Sequence, residues 1–363
     1  MIWALAKWRP EIPKSDLPHE SLHHAIGAGL RYVSLSPAIN SVLIRSVLFG
    51  FGAAGIWALM PLIAHDLLKG GPMIYGIVFG AFGAGAMGGA LITARLRARF
   101  RSDVIVNYSV AAFATGAIIA GFSHWIMLTA IGTFMAGVAW VLALSTFNVA
   151  VQMSSPRWVA GRSISIYQMA VFSGLAIGSA FWGFVGNTVG LPGALCLSGL
   201  FLLSSLGAAL KFKMPSLEGA ALDPWTRRQM SDPVLELTPR SGPIAVTIEY
   251  IVDADNAHDF VVAMQEMGRI RQRDGARRWT LTQDIDNPEL WTEQYRSPTW
   301  LDHLHRQTRP TVADESARAH ALSFHKGETA PVVHRMIERP SADVFRESTM
   351  ARADAFDGHG PQH

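Results

Sequence analysis

The sequence predicts an all-α membrane bundle of six transmembrane helices followed by a small α+β domain. Half of the residues are hydrophobic and the mean hydropathy is +0.22, which excludes one ordinary soluble fold for the whole chain. The chain has 31 Lys and Arg and 28 Asp and Glu, yet only eleven of these charged residues lie within residues 38–211. A lipid-soluble block therefore precedes a water-soluble block.

Six apolar runs within residues 38–211 are long enough to cross a bilayer core of about 30 Å as helices. Residues typical of turns separate them, as at Lys69-Gly70-Gly71-Pro72. A buried core helix of a soluble enzyme would account for one such run but not for six in succession. The predicted spans are approximately 42–68, 73–94, 104–122, 125–151, 163–189 and 193–210.

The distribution of Lys and Arg among the loops predicts how the helices are oriented. One set of segments holds twelve Lys and Arg, whereas the opposite set holds only Lys69. Both termini are therefore expected in the cytoplasm. The net charge of +3 lies largely in these short loops, so no nucleic-acid partner is expected. The basic set comprises residues 1–37, 95–101, 157–162 and the segment just after residue 210, with Lys211 and Lys213.

The regions that flank the spans differ in character. Residues 1–37 are expected to form a cytoplasmic loop, with an amphipathic helix on the membrane face over 11–37. Residues 212–242 are polar and proline-punctuated, as in an extended linker. Residues 340–363 are expected to be disordered. Neither a metal ion nor a cofactor is expected, and the lone Cys196 implies no disulfide framework.

Residues 243–339 have the pattern of a compact α+β domain. Apolar residues first alternate as in a half-buried strand, and a helical pattern then follows Asp255. A second helix is expected to bury Trp300, Leu301 and Leu304. The resulting β-α-β-β-α-β order is that of the ferredoxin-like fold. The predicted strands are 244–252, 278–285, 290–296 and 331–337, and the second helix begins at Ser297-Pro298.

Polar residues within the spans are the candidate transport and gating residues. Arg45 lies about one turn inside the first span, where its charge must reach the interface or find a partner; reaching the interface is the simpler interpretation. The arginines after the second span orient the bundle and contact anionic lipid headgroups, or contribute to gating. For the uncharged residues Asn148, Gln152 and Gln168, a role in helix packing is favoured over one in cavity lining. The candidates are Arg45, Arg95, Arg97, Arg99, Asn148, Gln152, Arg162 and Gln168.

Glycines recur at short spacings in the second and fifth spans. Small residues let helix backbones approach closely in lipid, so helix packing is the expected role and a sliding contact is the alternative. By contrast, the spans contain only two acids, Asp66 and Asp103, both at helix ends. A carboxylate that carries a coupling proton is therefore not expected among them. The predicted helix-packing glycines are Gly76, Gly80, Gly85, Gly89, Gly174 and Gly178.

Short motifs in and around the spans point to a known family. They are Gly27-Ala28-Gly29-Leu30-Arg31-Tyr32-Val33, Tyr75-Gly76, Gly88-Gly89-Ala90-Leu91, Arg95-Leu96-Arg97-Ala98-Arg99, Val159-Ala160-Gly161-Arg162, Tyr167-Gln168 and Trp182-Gly183. With these motifs the chain resembles the C-terminal half of a major facilitator superfamily transporter, in the enterobactin-exporter-like and macrolide-efflux-like branch. The loop after the second span departs from the superfamily pattern, because it has arginines but no acid.

The second domain carries a resemblance of its own. Its motifs are Val246-Thr247-Ile248-Glu249-Tyr250, Arg269-Ile270-Arg271-Gln272-Arg273-Asp274-Gly275-Ala276 and Trp300-Leu301-Asp302-His303-Leu304. Through them it is similar to antibiotic-biosynthesis-monooxygenase-type domains, which commonly pair sheet to sheet. Such a domain could dimerise the chain, sense a ligand, or act on an aromatic substrate. Its candidate pocket residues are Trp279, Trp291, Tyr295 and His334.

Together the resemblances imply an inner-membrane exporter of a hydrophobic small molecule, such as a drug or siderophore. Superfamily members have two six-helix halves with the substrate site between them, whereas this sequence contains one set, and residues 1–7 look like the end of a preceding helix. We therefore expect a transporter that is truncated, one whose start is wrongly placed at Met1, or one of two separately made halves. Its expected partners are membrane lipid, a hydrophobic substrate, and a second half or another copy bound through the tail domain. The alternatives are a membrane-tethered monooxygenase-like enzyme, a ligand-sensing or dimerising tail on a non-transporting anchor, and a nonfunctional remnant.

Overall fold

The computed structural model describes residues 22–215, 233–307, 311–327 and 329–339. The expected disordered tail, the first part of the amphipathic segment and most of the linker lie outside the described residues. The described chain divides into two compact units, which we call the helical unit and the sheet unit. Of the described residues, the helical unit holds 29–215 and 311–319, and the sheet unit holds 22–28, 233–307, 320–327 and 329–339.

Six helices of the helical unit are long and apolar enough to cross a membrane, as the sequence predicts. A shorter helix, α1 (Leu22–Leu35), precedes them. The spans are α2 (Pro37–Leu62), α3 (Pro72–Arg99), α4 (Ser102–Phe122), α5 (Ile126–Met153), α6 (Ala160–Val189) and α7 (Leu191–Ser205), with a short α8 (Ala208–Lys211) after the last.

Proline and glycine mark several helix boundaries. Pro37 and Pro72 occupy the first turns of α2 and α3, where the missing N–H removes no helical hydrogen bond. Gly190, between α6 and α7, has a φ of 88°, a left-handed conformation that favours glycine because it lacks a Cβ atom. These residues are among the turn signals that separate the spans in the sequence.

The C-terminal end of α2 widens by one residue. Pro61 lies inside the helix, and the turn after it is a π-helix, Ile63–Leu67. There the Leu68 N–H donates to the carbonyl of Ile63 (N···O 3.1 Å), five residues earlier instead of four. The turn therefore holds one residue more than an α-helical turn.

Small residues and aromatic rings build the core of the helical unit. α2 packs along α6, α3 along α5, and α4 against α5 and α7. In the first pair the backbones approach so closely that a Cβ atom at Gly50 would lie 2.7 Å from the Val171 carbonyl oxygen. Rings in mutual contact fill the space between the other helices: Phe49, Trp57, Phe82, Phe113, Trp140 and Phe147.

The sheet unit contains a four-stranded antiparallel sheet with the strand order β2-β3-β1-β4. The predicted alternation in the first strand is confirmed, because Ile244, Val246, Ile248 and Tyr250 are all buried. The elements of residues 244–337 are β1 (Ile244–Ile251), α9 (Ala257–Arg273), β2 (Arg277–Gln283), β3 (Leu290–Ser297), α10 (Trp300–Gln307), α11 (Val312–Leu322), most of which is grouped with the helical unit, and β4 (Val332–Ile337).

Two features of this unit differ from the sequence prediction. An additional helix that the sequence did not predict, α11, lies between α10 and the last strand. In addition, α10 buries His303 and Arg306, whereas the predicted core residues Trp300, Leu301 and Leu304 are only half-buried. The polar residues bury because Arg306 lies over an aromatic ring of β3 and bonds to His303 (3.1 Å), contacts that a hydrophobic pattern does not predict.

Candidate transport surface and charged networks

Arg45 is buried in the helical unit and paired with two residues of α4. Its Nη1 donates to Asp103 Oδ1 (2.6 Å) and its Nη2 donates to Asn107 Oδ1 (2.6 Å). Because Asp103 and Asn107 lie four residues apart, they present both acceptors on one face of α4. The Arg45 side chain is only 6% exposed. The structure therefore gives this charge two partners on α4 within the helical unit.

The same ion pair holds the segment that follows α8. Asp103 Oδ1 also accepts a hydrogen bond from the Met214 N–H (3.0 Å). Arg45 Nη1 donates a longer bond to the carbonyl oxygen of Phe212 (3.4 Å). The carboxylate thus joins α2, α4 and the chain beyond the sixth span. We call Arg45, Asp103 and Asn107 the membrane network.

The arginines after the second span do not join this network. Arg95 and Arg99 are exposed, and Arg97 is half-buried. The Nε and Nη2 atoms of Arg97 are buried without a hydrogen-bond partner among the described residues. All three lie in the last turns of α3, not in a loop after the second span, so the end of α3 presents positive charge that the described part of the helical unit leaves uncompensated.

The remaining polar candidates are dispersed. Asn148 is half-buried, whereas Gln152 and Gln168 are exposed. Within the described ranges, no hydrogen bond links these three side chains to one another. Arg162 is half-buried and packs its methylene groups on α1, where a Cβ atom at Gly29 would lie 2.9 Å from Arg162 Cδ. The structure thus brings Arg45 to Asp103 but does not gather the eight predicted residues into one polar site.

The predicted packing glycines fall into two groups. Gly85 and Gly89 face the backbone of α5, and Gly174 and Gly178 face that of α2; a Cβ atom at Gly174 would lie 2.5 Å from the Val47 carbonyl oxygen. Gly76 and Gly80 have open space in front of them. The first group lies where helices approach closely, and the second lies on an uncovered face of α3.

Two spans are the least covered of the six in the helical unit. The most apolar windows of α3 and α6 are each only 22% buried, against 61% for α2. Large apolar side chains project from both helices: Met87 and Leu91 on α3, and Met169, Phe172 and Ile177 on α6. Gln168 belongs to the same exposed surface of α6. We call this uncovered part of α3 and α6 the open face.

The sheet unit contains a second charged network, centred on Glu293. This carboxylate is fully buried and accepts hydrogen bonds from Arg271 Nε (3.1 Å), Trp279 Nε1 (3.0 Å) and the Tyr250 hydroxyl (3.2 Å). Burial alone would raise the pKa of Glu293, but the Arg271 charge and these bonds outweigh it, so the pKa lies below its usual value of 4.5. We call these four residues the sheet network.

The predicted pocket residues of the sheet unit are not gathered into one site. Trp279 bonds to Glu293, and Tyr295 carries the guanidinium group of Arg306 over its ring (4.1 Å). Trp291 is buried, whereas His334 is exposed on β4 opposite Thr247, so it lies on the other face of the sheet. Among the residues that the structure describes, no three His, Cys, Asp or Glu side chains lie close enough to share a metal ion.

Sequence reasoning missed several residues of both networks. It named Asp103 as a helix-end acid and did not consider Asn107, although their spacing of four is a recognisable signal on one helix face. It did not single out Glu293, a lone acid in a strand pattern, nor Tyr250 as its donor. Each pairing joins residues distant in sequence, 58 positions in the case of Arg45 and Asp103.

Comparisons with known proteins identify the family. A search of curated protein sequences returned no match. The family model described as transmembrane secretion effector, a major facilitator type, matches residues 1–342 and so extends over both units. With six apolar membrane-spanning helices, the chain is a multi-pass membrane protein. It belongs to the transmembrane secretion effector family of major facilitator-type transporters.

Proposed function

We propose that the chain supplies one half of an efflux transporter that exports a hydrophobic small molecule, such as a drug or siderophore, across the inner membrane. The observation that carries this proposal is the open face. Transporters of this superfamily place the substrate between two helical halves near the bilayer midplane. An apolar surface on α3 and α6 with a few polar side chains, among them Gln168, suits one wall of such a cavity.

Dye efflux tests transport. Cells that lack their own drug exporters would express the chain alone or with a candidate second half, and ethidium accumulation would be followed by fluorescence. We expect lower accumulation only when both halves are present. A Phe172→Asp variant, which places a charge on the open face, should abolish the effect, whereas Phe122→Asp at the exposed end of α4 should retain it. Equal activity of both variants would contradict a substrate wall on α3 and α6.

Shielding from lipid tests the pairing of halves. In a Cys196→Ser background, a cysteine at Leu91 on the open face would be treated with a lipid-soluble maleimide. We expect slow labelling when a second half or second copy covers this face, and fast labelling of a cysteine at Phe122. Equal rates would show that lipid covers the open face and would count against the half-transporter.

We further propose that both termini are cytoplasmic, on the distribution of Lys and Arg among the loops. Cysteines introduced at Arg99 and at Lys69 would be treated in intact spheroplasts with an impermeant thiol reagent. Labelling at Lys69 alone supports the proposed orientation. Labelling at Arg99 alone reverses it.

For the sheet unit we propose a ferredoxin-like domain that dimerises sheet to sheet. The antiparallel order β2-β3-β1-β4 and the alternation of helices with strands support this fold. One sheet face exposes Ile251, His334 and Met336, as an interface would. A Met336→Lys variant should convert dimers to monomers in light scattering, and an unchanged mass would contradict the pairing. Oxygen consumption with an aromatic substrate would instead favour the monooxygenase-like alternative.

A further inference from the structure

An apolar groove lies between α3, α4 and α5 of the helical unit. It is beside the C-terminal end of α3, which carries Arg95, Arg97 and Arg99. Its volume is about 300 Å³. One of its ten lining residues, Ser109, donates its hydroxyl to the Ile105 carbonyl of its own helix, and so offers no free donor to the groove. The walls come chiefly from Leu96, Phe100, Val104, Tyr108, Val138 and Leu142.

The groove opens at the surface of the helical unit. Both α3 and α4 pack extensively on α5 but contact each other over only a few residues, so α5 forms the floor between them. Phe100 and Tyr108 at the rim are 50% and 74% exposed. A long apolar molecule could therefore enter from the surrounding membrane without passing through the core.

A half-buried arginine with two unpaired donor atoms lies in the turn of α3 that forms one end of this groove. Arg97 follows Leu96 and precedes Phe100 by three residues, so its helix turn is the turn that forms the wall. Its Nε and Nη2 atoms are buried and lack a hydrogen-bond partner among the described residues. Buried donors on a guanidinium group are costly unless an acceptor satisfies them.

Both acids that the structure describes at the ends of the spans are already engaged. Asp103 begins α4, but it is bound to Arg45 and to the Met214 N–H. Asp66, the other acid of the spans, lies beyond the far end of α2 and pairs with His65. No ion pair joins Arg95, Arg97, Arg99 or Arg101 to an acid among the described residues. Within the described ranges, no acid therefore neutralises the arginines at the end of α3.

We propose that the groove is a binding site for an anionic glycerophospholipid, with one acyl chain along its apolar walls and the phosphate at Arg97. A phosphate oxygen accepts hydrogen bonds from a guanidinium group in good geometry. The additional positive charge of Arg95, Arg99 and Arg101 favours a headgroup with net negative charge over a zwitterionic one. The site needs no second half and is separate from the proposed substrate wall.

Native mass spectrometry of the detergent-purified full chain tests the proposal. Dioleoyl phosphatidylglycerol and dioleoyl phosphatidylcholine, which share their acyl chains, would be titrated separately. We expect tighter binding of phosphatidylglycerol, and an Arg97→Gln variant should weaken it about tenfold, as expected for loss of one charge-assisted hydrogen bond. The matched control is Arg95→Gln, which removes an exposed charge from the same helix and should change the affinity by less than about twofold.

Two further variants separate headgroup, chain and folding effects. Arg97→Lys retains the charge and should recover part of the affinity, which a merely misfolded protein would not show. Ala112→Phe fills the groove at a position distant from Arg97 and should weaken both lipids. Equal losses in Arg97→Gln and Arg95→Gln would reduce the effect to general surface charge and overturn the site. Binding of glycerol phosphate as tight as that of the dioleoyl lipid would also overturn the site.

Discussion

In the helical unit, Asp103 shares the guanidinium group of Arg45 with Asn107 and remains 24% exposed. In the sheet unit, Glu293 is fully buried and takes its charge partner, Arg271, together with two neutral donors. The difference shows which groups each unit uses to hydrogen-bond its buried charge. The membrane network surrounds a cation with acceptors, whereas the sheet network surrounds an anion with donors.

The largest effect is expected from removal of the buried anion. Glu293→Gln leaves Arg271 buried beside a neutral group, and we expect the sheet unit to lose about 3–5 kcal/mol of stability. Hydrogen exchange at β1 and β3 in the detergent-solubilised chain measures this loss. Unchanged protection of both strands would show that the Arg271 charge is solvated and that the sheet network is not a structural centre.

Acid should reproduce part of this effect without a mutation. Because the pKa of Glu293 lies below its usual value of 4.5, the ionised form stabilises the folded state at neutral pH. That contribution is complete above about pH 4.5 and is lost as the pH falls through the lower, folded-state pKa. The exchange protection of β3 should be flat from neutral pH to about 5 and decline below 4.5 in the wild type, but not in Glu293→Gln.

A smaller loss, about 1.5–3 kcal/mol, is expected from Asp103→Asn in the membrane network, because Asn107 still accepts from Arg45. The double variant Arg45→Met with Asp103→Asn removes the uncompensated charge and should be more stable than Asp103→Asn alone. Thermal unfolding followed by tryptophan fluorescence compares the three proteins. If the double variant is the least stable, Arg45 contributes chiefly through packing of its stem.

The helical unit also depends on steric fit between its helices. Gly174→Ala places a Cβ atom 2.5 Å from the Val47 carbonyl oxygen and should cost about 1–2 kcal/mol. Gly80→Ala, on the open face of α3, meets open space and should be neutral or slightly stabilising. Melting temperatures of both variants in detergent test the contrast, which disappears if the two glycines respond alike.

The smallest effect is expected at an exposed pair of the sheet unit. Arg296 and Glu338 lie 2.9 Å apart, but their side chains are 36% and 34% exposed. Glu338→Gln should therefore change the stability by less than about 1 kcal/mol, and less still in high salt. Protection of β1 and β3 provides the measurement, and a loss as large as that of Glu293→Gln would remove the distinction between exposed and buried carboxylates.

Most elements of both units, α11 excepted, were predictable because their signals are local. Apolar length revealed the six spans, and alternation from Ile244 to Tyr250 revealed the central strand. The networks were not predictable, since the partner of Arg45 is decided by how α2 meets α4. Likewise the buried side of α10 is set by Tyr295 beneath Arg306, not by the apolar pattern of the helix itself. The role of each predicted transport residue stays a prediction.

The π turn at the end of α2 has a consequence for tolerance of insertions and deletions. Since Ile63–Leu67 already contains one residue beyond what α-helical bonding needs, loss of a single residue there converts the turn to an ordinary α-helix. The residues before Pro61 keep their partners on α6 and α7 after such a loss. In relatives of this chain that differ in length by one residue, we expect the difference to lie in this turn. There a residue can be lost without displacing the packed helices.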